Sequence, residues 1–159
     1  MEPVTLEHLV EDFLGQRRLA VAGVSRTKSD AANIVYKKLR GAGYEVFAVN
    51  PNAEMVEGDR AYTSLGAIPG GVDGVVVATR PAAADAIVRE CAELGIGRVW
   101  MHRSFGTGSV SDSAVRFCRE RGIRVIPGGC PMMFCSPVDV PHKCLRWVLR
   151  LTGGLPKSG

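Results

Sequence analysis

The stretch that decides the fold is LAVAGVSRTKSD, residues 19–30. Its first four residues are apolar without polar alternation, which is typical of a parallel strand covered on both faces. A loop containing glycine and serine follows, and Ser29 or Asp30 offers a capping oxygen to a helix. The backbone N–H groups of such a loop lack helical partners, and the helix dipole favours an anion in front of them. The stretch therefore predicts a phosphate-binding loop.

A corner of this kind also occurs without any ligand, because the turn alone needs a permissive backbone. Two cations, Arg26 and Lys28, follow the glycine and lie where phosphates would be held. Charge-assisted contacts of this kind are the strong ones, so the cations favour an anionic ligand.

Length and composition limit the class of protein. A chain of 159 residues is one domain by size and can bury a core without disulfides or a metal. Its net charge of +4 is mild, its basic residues are scattered and aromatic residues make up only 6%. Proteins that bind nucleic acid cluster their cations and supply aromatic platforms, so a small anionic ligand fits better than a polymer.

The sequence shows neither a signal peptide nor a run of 18 apolar residues. We therefore expect a cytoplasmic protein that does not interact with membranes. The odd number of cysteines, five, argues against a secreted disulfide framework. Cys91 and Cys118 fall at helical core spacing and are predicted to be small buried hydrophobes.

Strands and helices alternate along the chain. Thr5 is predicted to cap a first helix that ends near Gly15, and Gly41 and Gly43 stop the helix after the phosphate loop. Residues 50–71 read as a loop-rich crossover with a short turn at 63–68. The predicted strands are 19–22, 44–49, 72–79, 98–102 and 123–126, and the later helices are 81–95, 111–121 and 141–151.

This order is typical of an α/β fold with a doubly wound parallel sheet, here five-stranded, between helices on both faces in three layers. The carboxyl ends of parallel strands meet at one edge, where ligands bind. The loops predicted to meet there are 23–28, 50–52, 79–81, 102–108 and 127–135.

The nucleotide is not predicted to be NAD. The sequence fingerprint of a dinucleotide-binding fold has G-x-G-x-x-G after the first strand and an Asp or Glu at the end of the second. Here the first pattern reads Gly23, Ser25, Lys28, and the second strand ends in Asn50-Pro51. An NAD(P)-binding oxidoreductase stays open as an alternative, since a phosphorylated ribose tolerates the missing acid.

Several short motifs in order resemble a known family, the CoA-binding domain found in the succinyl-CoA synthetase alpha subunit and as stand-alone bacterial proteins. The resemblance covers most of the chain. It rests on AGVSR at 22–26, GYEV at 43–46 leading to VNP at 49–51, Y-x-x-L-x-x-I-P-x-x-V-D at 62–73, and Cys130-Pro131.

The resemblance implies a Rossmann-like fold that binds coenzyme A. It places the loop 23–26 at the phosphates, Asn50-Pro51 beside the nucleotide and 79–81 at the adenine. The ribose 3′-phosphate of CoA explains why cations replace an acidic ribose ligand. The predicted cofactor-binding residues are Gly23, Val24, Ser25, Arg26, Lys28, Asn50, Pro51, Thr79, Arg80, Pro81 and Cys130.

The chain departs from the synthetase, whose phosphorylated histidine lies in a second domain, so no ligase activity is expected of this chain alone. His8 is predicted to lie on the surface of the first helix, which leaves His102 and His142 for chemistry. No Ser/His/Asp or paired-carboxylate arrangement accompanies them in the sequence, and no catalytic residue is predicted.

The C-terminal region carries Cys130, Cys135, His142 and Cys144. Thiolates with an imidazole are zinc ligands, but C-x4-C followed by H-x-C lacks paired C-x2-C knuckles, and no metal is predicted. A redox role for Cys130 stays open, because the preceding glycines predict a flexible loop at the ligand edge.

The leading hypothesis is a non-catalytic module that binds CoA or an acyl-CoA. The alternatives are the NAD(P) oxidoreductase and a subunit that completes an acyl-CoA ligase in trans, and a protein partner or homo-oligomer stays open. Residues 1–152 are predicted to form one CoA-binding Rossmann-like domain, with a frayed tail at 153–159.

Overall fold

Strand β1 (Arg18–Ala22) lies at the centre of the sheet. The computed structural model describes residues 3–27, 30–103 and 108–134. β1 pairs in parallel with β2 (Glu45–Val49) on one side and with β5 (Gly74–Val77) on the other. Four of its five residues are buried, as expected for an apolar strand with helices over both faces.

The remaining strands are β3 (Met55–Val56), β4 (Asp59–Tyr62), β6 (Arg98–Met101) and β7 (Arg124–Pro127). The strand order in the sheet is β3-β4-β2-β1-β5-β6-β7. Every pairing is parallel except that of β3 with β4. The predicted α/β class and doubly wound parallel sheet are confirmed. The predicted count of five strands is wrong, because the described residues already form seven.

The two additional strands lie in the crossover that was predicted to be loop-rich. β3 (Met55–Val56) and β4 (Asp59–Tyr62) form a hairpin whose second strand pairs with β2. They are short and carry two charges, so they show no apolar run of their own. Their strand character comes from pairing with β2, which lies at a distance in the sequence.

Within the described residues, four α-helices cover the sheet, two on each face. α1 (Leu6–Leu14) and α2 (Ala31–Gly41) pack over one face with the side chains of Leu19 and Val21. α3 (Pro81–Leu94) and α4 (Asp112–Glu120) pack over the other with Ala20 and Ala22. The three layers are therefore confirmed, and alternate residues of β1 enter different cores.

Several local predictions about the helices are also confirmed. The Thr5 hydroxyl accepts the backbone N–H of His8, which is exposed, and α1 ends at Gly15. Pro81 is the first residue of α3, where its missing N–H costs nothing. The predicted helix 141–151, the domain end at 152 and the tail 153–159 lie outside the described residues, so the domain bounds stay predictions.

Two cysteines fill the core beneath α3 and α4. Cys91 and Cys118 are fully buried, as predicted. Burial raises the pKa of Cys91 to about 12, with the neighbouring Cys118 as a second cause, and burial raises the pKa of Cys118 to about 11. Both thiols therefore stay protonated near neutral pH, like other small core groups.

Candidate functional site

The chain reverses its direction of winding between β1 and β5. The connection that leaves β1 runs through α2 to β2, whereas the connection that leaves β5 runs through α3 to β6 on the opposite face. The two loops therefore diverge at the carboxyl edge and leave a crevice between them. In open α/β sheets this crevice is where ligands bind.

Gly23 makes the two loops meet closely beneath this crevice. Its φ is +105°, and a Cβ on it would lie 2.2 Å from the carbonyl oxygen of Ala78 and 3.3 Å from Cγ2 of Thr79. Its N–H donates to the carbonyl of Val49 at 3.2 Å. Glycine is required here both by backbone conformation and by the approach of a second backbone.

The next residues form a compact loop held from within the protein. The Ser25 N–H donates to Oδ1 of Asn33 at 2.9 Å, and Nδ2 of Asn33 donates to the Ser25 carbonyl at 2.7 Å. The Ser25 hydroxyl donates to Asp30 at 2.5 Å and accepts the N–H of Thr27 at 3.0 Å. Two side chains therefore hold this loop, namely Asn33 of α2 and Asp30, the N-cap residue of that helix.

The expected helix cap differs from the structure in one respect. Asp30 occupies the N-cap position of α2, but its carboxylate accepts the Ser25 hydroxyl and caps no backbone N–H. The prediction of a capping oxygen from Asp30 is therefore wrong, because the Asp30 carboxylate binds the Ser25 hydroxyl of the loop instead. Ser29 and Lys28 lie outside the described residues.

Asn50 at the end of β2 also serves the loop. Its Nδ2 donates to the carbonyl of Val24 at 2.9 Å, and its Oδ1 accepts the N–H of Asn52 at 2.8 Å across the exposed Pro51. Both ends of the side-chain amide are used inside the protein. This position therefore supports the loop instead of offering a carboxylate to ribose hydroxyls.

The opposite wall of the crevice is the segment 79–81. The carbonyl of Thr79 accepts the hydroxyl of Ser109, which is buried, at 2.6 Å. Arg80 is the N-cap residue of α3 and Pro81 its first residue. The loop after β5 is thereby fixed to the segment that precedes α4.

Exposed cations border both walls. Arg26 and Arg80 are exposed, and the ion pairs found among the described residues involve neither of them. A third cation, Arg103, follows β6, and its Nη2 lies 3.1 Å from where a Cβ on Gly128 would be. Arg103 is not among the predicted cofactor-binding residues, although it lies in the loop 102–108 that was predicted to reach this edge.

Cys130 is not on an exposed turn. It is 2% exposed and belongs to the core under α1 and α2, next to a 3₁₀ turn at Pro131–Met133. The preceding segment is held by Trp100, whose Nε1 donates to the carbonyl of Gly128 at 2.9 Å. The expectation of an open, flexible loop here is wrong, because the indole and the surrounding apolar side chains anchor it. A contact of Cys130 with a ligand stays a prediction.

Other groups considered for chemistry add little to this edge. His102 is half-buried, and its backbone N–H donates to the carbonyl of Val77. Within the three described ranges no group of three His, Cys, Asp or Glu residues has the arrangement of a metal site. Cys135, His142 and Cys144 lie outside those ranges.

Comparison with known proteins adds the family. A family model described as a CoA binding domain matches residues 17–136, which include both walls of the crevice. The chain belongs to the CoA binding domain family. The resemblance stated from the motifs is therefore confirmed.

Members and relatives of the family differ in size. The chain is 31% identical to the uncharacterized protein YneT of Bacillus subtilis over 114 residues, 72% of this chain and 82% of that protein. It is 30% identical over 129 residues to the alpha subunit of ADP-forming acetate–CoA ligase II of Pyrococcus furiosus, 77% of this chain but 28% of that subunit. This chain therefore corresponds to about a quarter of the ligase subunit.

A solved structure of similar size has the same fold. A hypothetical protein from Pyrococcus horikoshii OT3 superimposes with a TM-score of 0.74 at 26% identity, over 83% of this chain and 92% of that one. In the described part of our CoA binding domain, no helix has the length and apolar character that crossing a membrane needs.

Two residues important for the loop of this CoA binding domain were missed from the sequence. Asn33 is fully buried among the apolar inward positions of α2, and Glu57 lies in the β3–β4 turn. A polar residue at a core position of an amphipathic helix was the available signal for Asn33. For Glu57 the available signal in the sequence was its place before Gly58, which indicates a turn but no role for the Glu57 side chain.

Proposed function

We propose that this protein binds coenzyme A or an acyl-CoA in the crevice between the loops after β1 and β5, without catalysing a reaction by itself. The observation that supports it most is the family match over 17–136, which includes this crevice. In the proposal, residues 23–26 and Lys28 face the phosphates, Asn50 and Pro51 flank the nucleotide, and Thr79, Arg80 and Pro81 border the adenine.

The polar groups of the crevice agree with this ligand. A CoA nucleotide carries a pyrophosphate and a ribose 3′-phosphate, and Arg26 and Arg80 are exposed cations at the two walls. Since Asn50 uses its side chain on Val24 and Asn52, the end of β2 lacks the acceptor pair that a free ribose requires. A phosphorylated ribose near cations is therefore favoured over the ribose of NAD.

The test is a comparison of four ligands. Mass spectrometry of the purified protein identifies any retained ligand, and calorimetry then measures CoA, 3′-dephospho-CoA, NADH and NADPH. A charge-assisted contact contributes about 1.5 to 3 kcal/mol, so CoA is expected to bind at least about tenfold more tightly than 3′-dephospho-CoA. Micromolar binding of NADH or NADPH with no binding of CoA would contradict CoA binding and favour the alternative function, an NAD(P)-binding oxidoreductase.

A second function, a ligase subunit that acts in trans, is favoured by the match to the Pyrococcus furiosus ligase subunit. Its test is complementation. The ligase is prepared without the region that this chain matches, and our protein is added with acetate, ATP and CoA. Recovery of acetyl-CoA formation supports this second function. Failure to recover it contradicts the second function and leaves CoA binding without catalysis as the proposed function.

A further inference from the structure

Glu57 is unusual in both backbone and side chain. Among the non-glycine residues that the structure describes, it alone has a positive φ, +49°, followed by Gly58 at +80°. Two consecutive positive φ values are typical of a tight hairpin turn, where Asn or Gly is preferred at the first position. A glutamate there carries conformational strain, which often marks a residue retained for another purpose.

The side chain of Glu57 is buried, with 7% of its surface exposed. Oε1 accepts a 2.8 Å hydrogen bond from Nδ2 of Asn33, and that nitrogen also donates to the Ser25 carbonyl. Both protons of the Asn33 amide nitrogen are thereby used. The Glu57 acceptor therefore fixes which end of the Asn33 amide is nitrogen, and so directs Oδ1 to the Ser25 N–H.

Two basic side chains of α2 accompany this contact. Nζ of Lys37 lies 3.8 Å from Oε2 of Glu57, and Nη1 of Arg40 donates to the Glu57 carbonyl at 3.0 Å. The same helix holds the other hairpin strand through Asp59, which accepts Tyr36 Oη at 2.7 Å and Arg40 Nη1 at 2.6 Å. The hairpin is thus attached to α2 twice, but only the Glu57 attachment continues into the loop after β1.

We propose that Glu57 is a positioning residue for ligand binding: through Asn33 it holds Ser25, and with it the loop 23–27, in the shape that receives the CoA phosphates. The inference rests on the proposed function and deepens it. It assigns to the β3–β4 hairpin, which contributes no residue to the crevice walls described above, control over the affinity of the loop.

Three variants separate positioning from stability. Glu57→Gly removes the acceptor while relieving the positive φ, so the hairpin turn is retained. Glu57→Gln keeps an oxygen that accepts from Asn33. Asp59→Ala is the matched control, because it cuts the attachment of the same hairpin to the same helix away from Ser25.

Each variant is measured by CoA calorimetry, by thermal unfolding and by NMR hydrogen exchange at the Ser25 amide. Losing one buried hydrogen bond shifts such equilibria by about tenfold. We expect Glu57→Gly to weaken CoA binding about tenfold and to accelerate Ser25 exchange by a similar factor. Glu57→Gln is expected to restore both to within about threefold, and Asp59→Ala to lower the melting temperature while leaving both unchanged.

The proposal is overturned if Glu57→Gly leaves CoA affinity or Ser25 exchange at the wild-type value, or if Asp59→Ala changes them equally. Wild-type protein that binds no CoA overturns the proposed function instead. In that case Ser25 exchange, which needs no ligand, still decides whether Glu57 holds the loop.

Discussion

The side-chain amide of Asn50 donates a hydrogen bond of 2.9 Å to the carbonyl oxygen of Val24. This contact joins the end of β2 to the loop after β1, next to the junction of that loop with Ala78. Asn50 is therefore part of the framework that shapes the crevice, and its effect on binding can be measured directly.

Asn50→Asp replaces the donor by a carboxylate that faces the Val24 carbonyl. We expect CoA affinity to fall about tenfold, because an unpaired carbonyl and a new charge each disfavour the present loop. NADH affinity is not expected to rise, since the fold at this position directs the side chain into the loop. Calorimetry with both ligands measures the effect.

Asn52→Asp is the control, because it adds the same charge at an exposed neighbour that uses only its backbone N–H in this contact. An equal loss of CoA affinity in both variants would assign the effect to charge alone and contradict the role of the Asn50–Val24 contact.

Gly23→Ala is expected to destabilise the fold strongly. The positive φ costs about 1 to 2 kcal/mol for a residue with a side chain, and the Cβ would lie 2.2 Å from the Ala78 oxygen, which forces the two loops apart. Together with an overpacking cost, we expect a loss of about 3 kcal/mol or more in the free energy of unfolding. Urea unfolding measures this quantity.

Gly43→Ala provides the comparison for that variant. Gly43 has a similar φ of +95°, but nothing lies within 4 Å of its hypothetical Cβ. Gly43→Ala is therefore expected to lower the free energy of unfolding by only about 1 to 2 kcal/mol, which is the conformational cost alone. Equal losses in the two variants would contradict the close approach of the loops at Gly23.

Arg26→Ala is expected to remove the preference for CoA over 3′-dephospho-CoA. We propose that the exposed guanidinium contacts the ribose 3′-phosphate, so its loss should weaken CoA binding about tenfold and leave 3′-dephospho-CoA binding unchanged. Arg17→Ala is the control, since Arg17 is also exposed but precedes β1 at the opposite edge. If Arg26→Ala weakened the binding of both ligands equally, the guanidinium would contact the pyrophosphate instead of the 3′-phosphate.

Alkaline pH is expected to destabilise the protein through its buried thiols. In the unfolded chain a thiol ionises with a pKa of about 9, whereas burial raises the pKa to about 12 for Cys91 and about 11 for Cys118. Above about pH 9 the unfolded state releases protons that the folded state keeps, so the free energy of unfolding falls as pH rises. The loss is about 1.4 kcal/mol per pH unit for each thiol.

Cys91→Val tests this by removing one of the two thiols. Between about pH 9 and 11, its free energy of unfolding should fall less steeply with pH, by about 1.4 kcal/mol per unit. Tyr36 adds to the slope in both proteins, because burial and then Asp59 raise the pKa of its hydroxyl. Identical slopes would show that Cys91 does not resist ionisation in the folded state.

The sequence predicted those elements that their own residues determine. Apolar runs and capping residues identified the strands β1, β2, β5, β6 and β7 and the four helices of the described ranges, with ends displaced by a few residues. The hairpin Met55–Val56 and Asp59–Tyr62 was missed because its strands depend on pairing with β2. A charged, four-residue segment carries little preference of its own.

The same distinction applies to the site. The backbone loop at Gly23 and the absence of an acid after β2 were visible in the sequence. The Glu57–Asn33–Ser25 connection was not, because it joins residues 24 and 8 positions apart whose contact depends on how the hairpin packs on α2. The burial of Cys130 was missed for a similar reason. The two preceding glycines suggested a flexible backbone, whereas the hydrogen bond from Trp100 to the Gly128 carbonyl holds that segment in place.

The central place of β1 has a consequence for synthesis on the ribosome. This strand pairs on one edge with β2 and on the other with β5, and one of its faces is covered by helices that begin only at Pro81. A nascent chain that stops before Gly74 therefore presents an unpaired edge and an uncovered apolar face on β1. Such surfaces associate with other chains, so release of a truncated chain at that point is expected to give aggregates instead of a smaller folded protein.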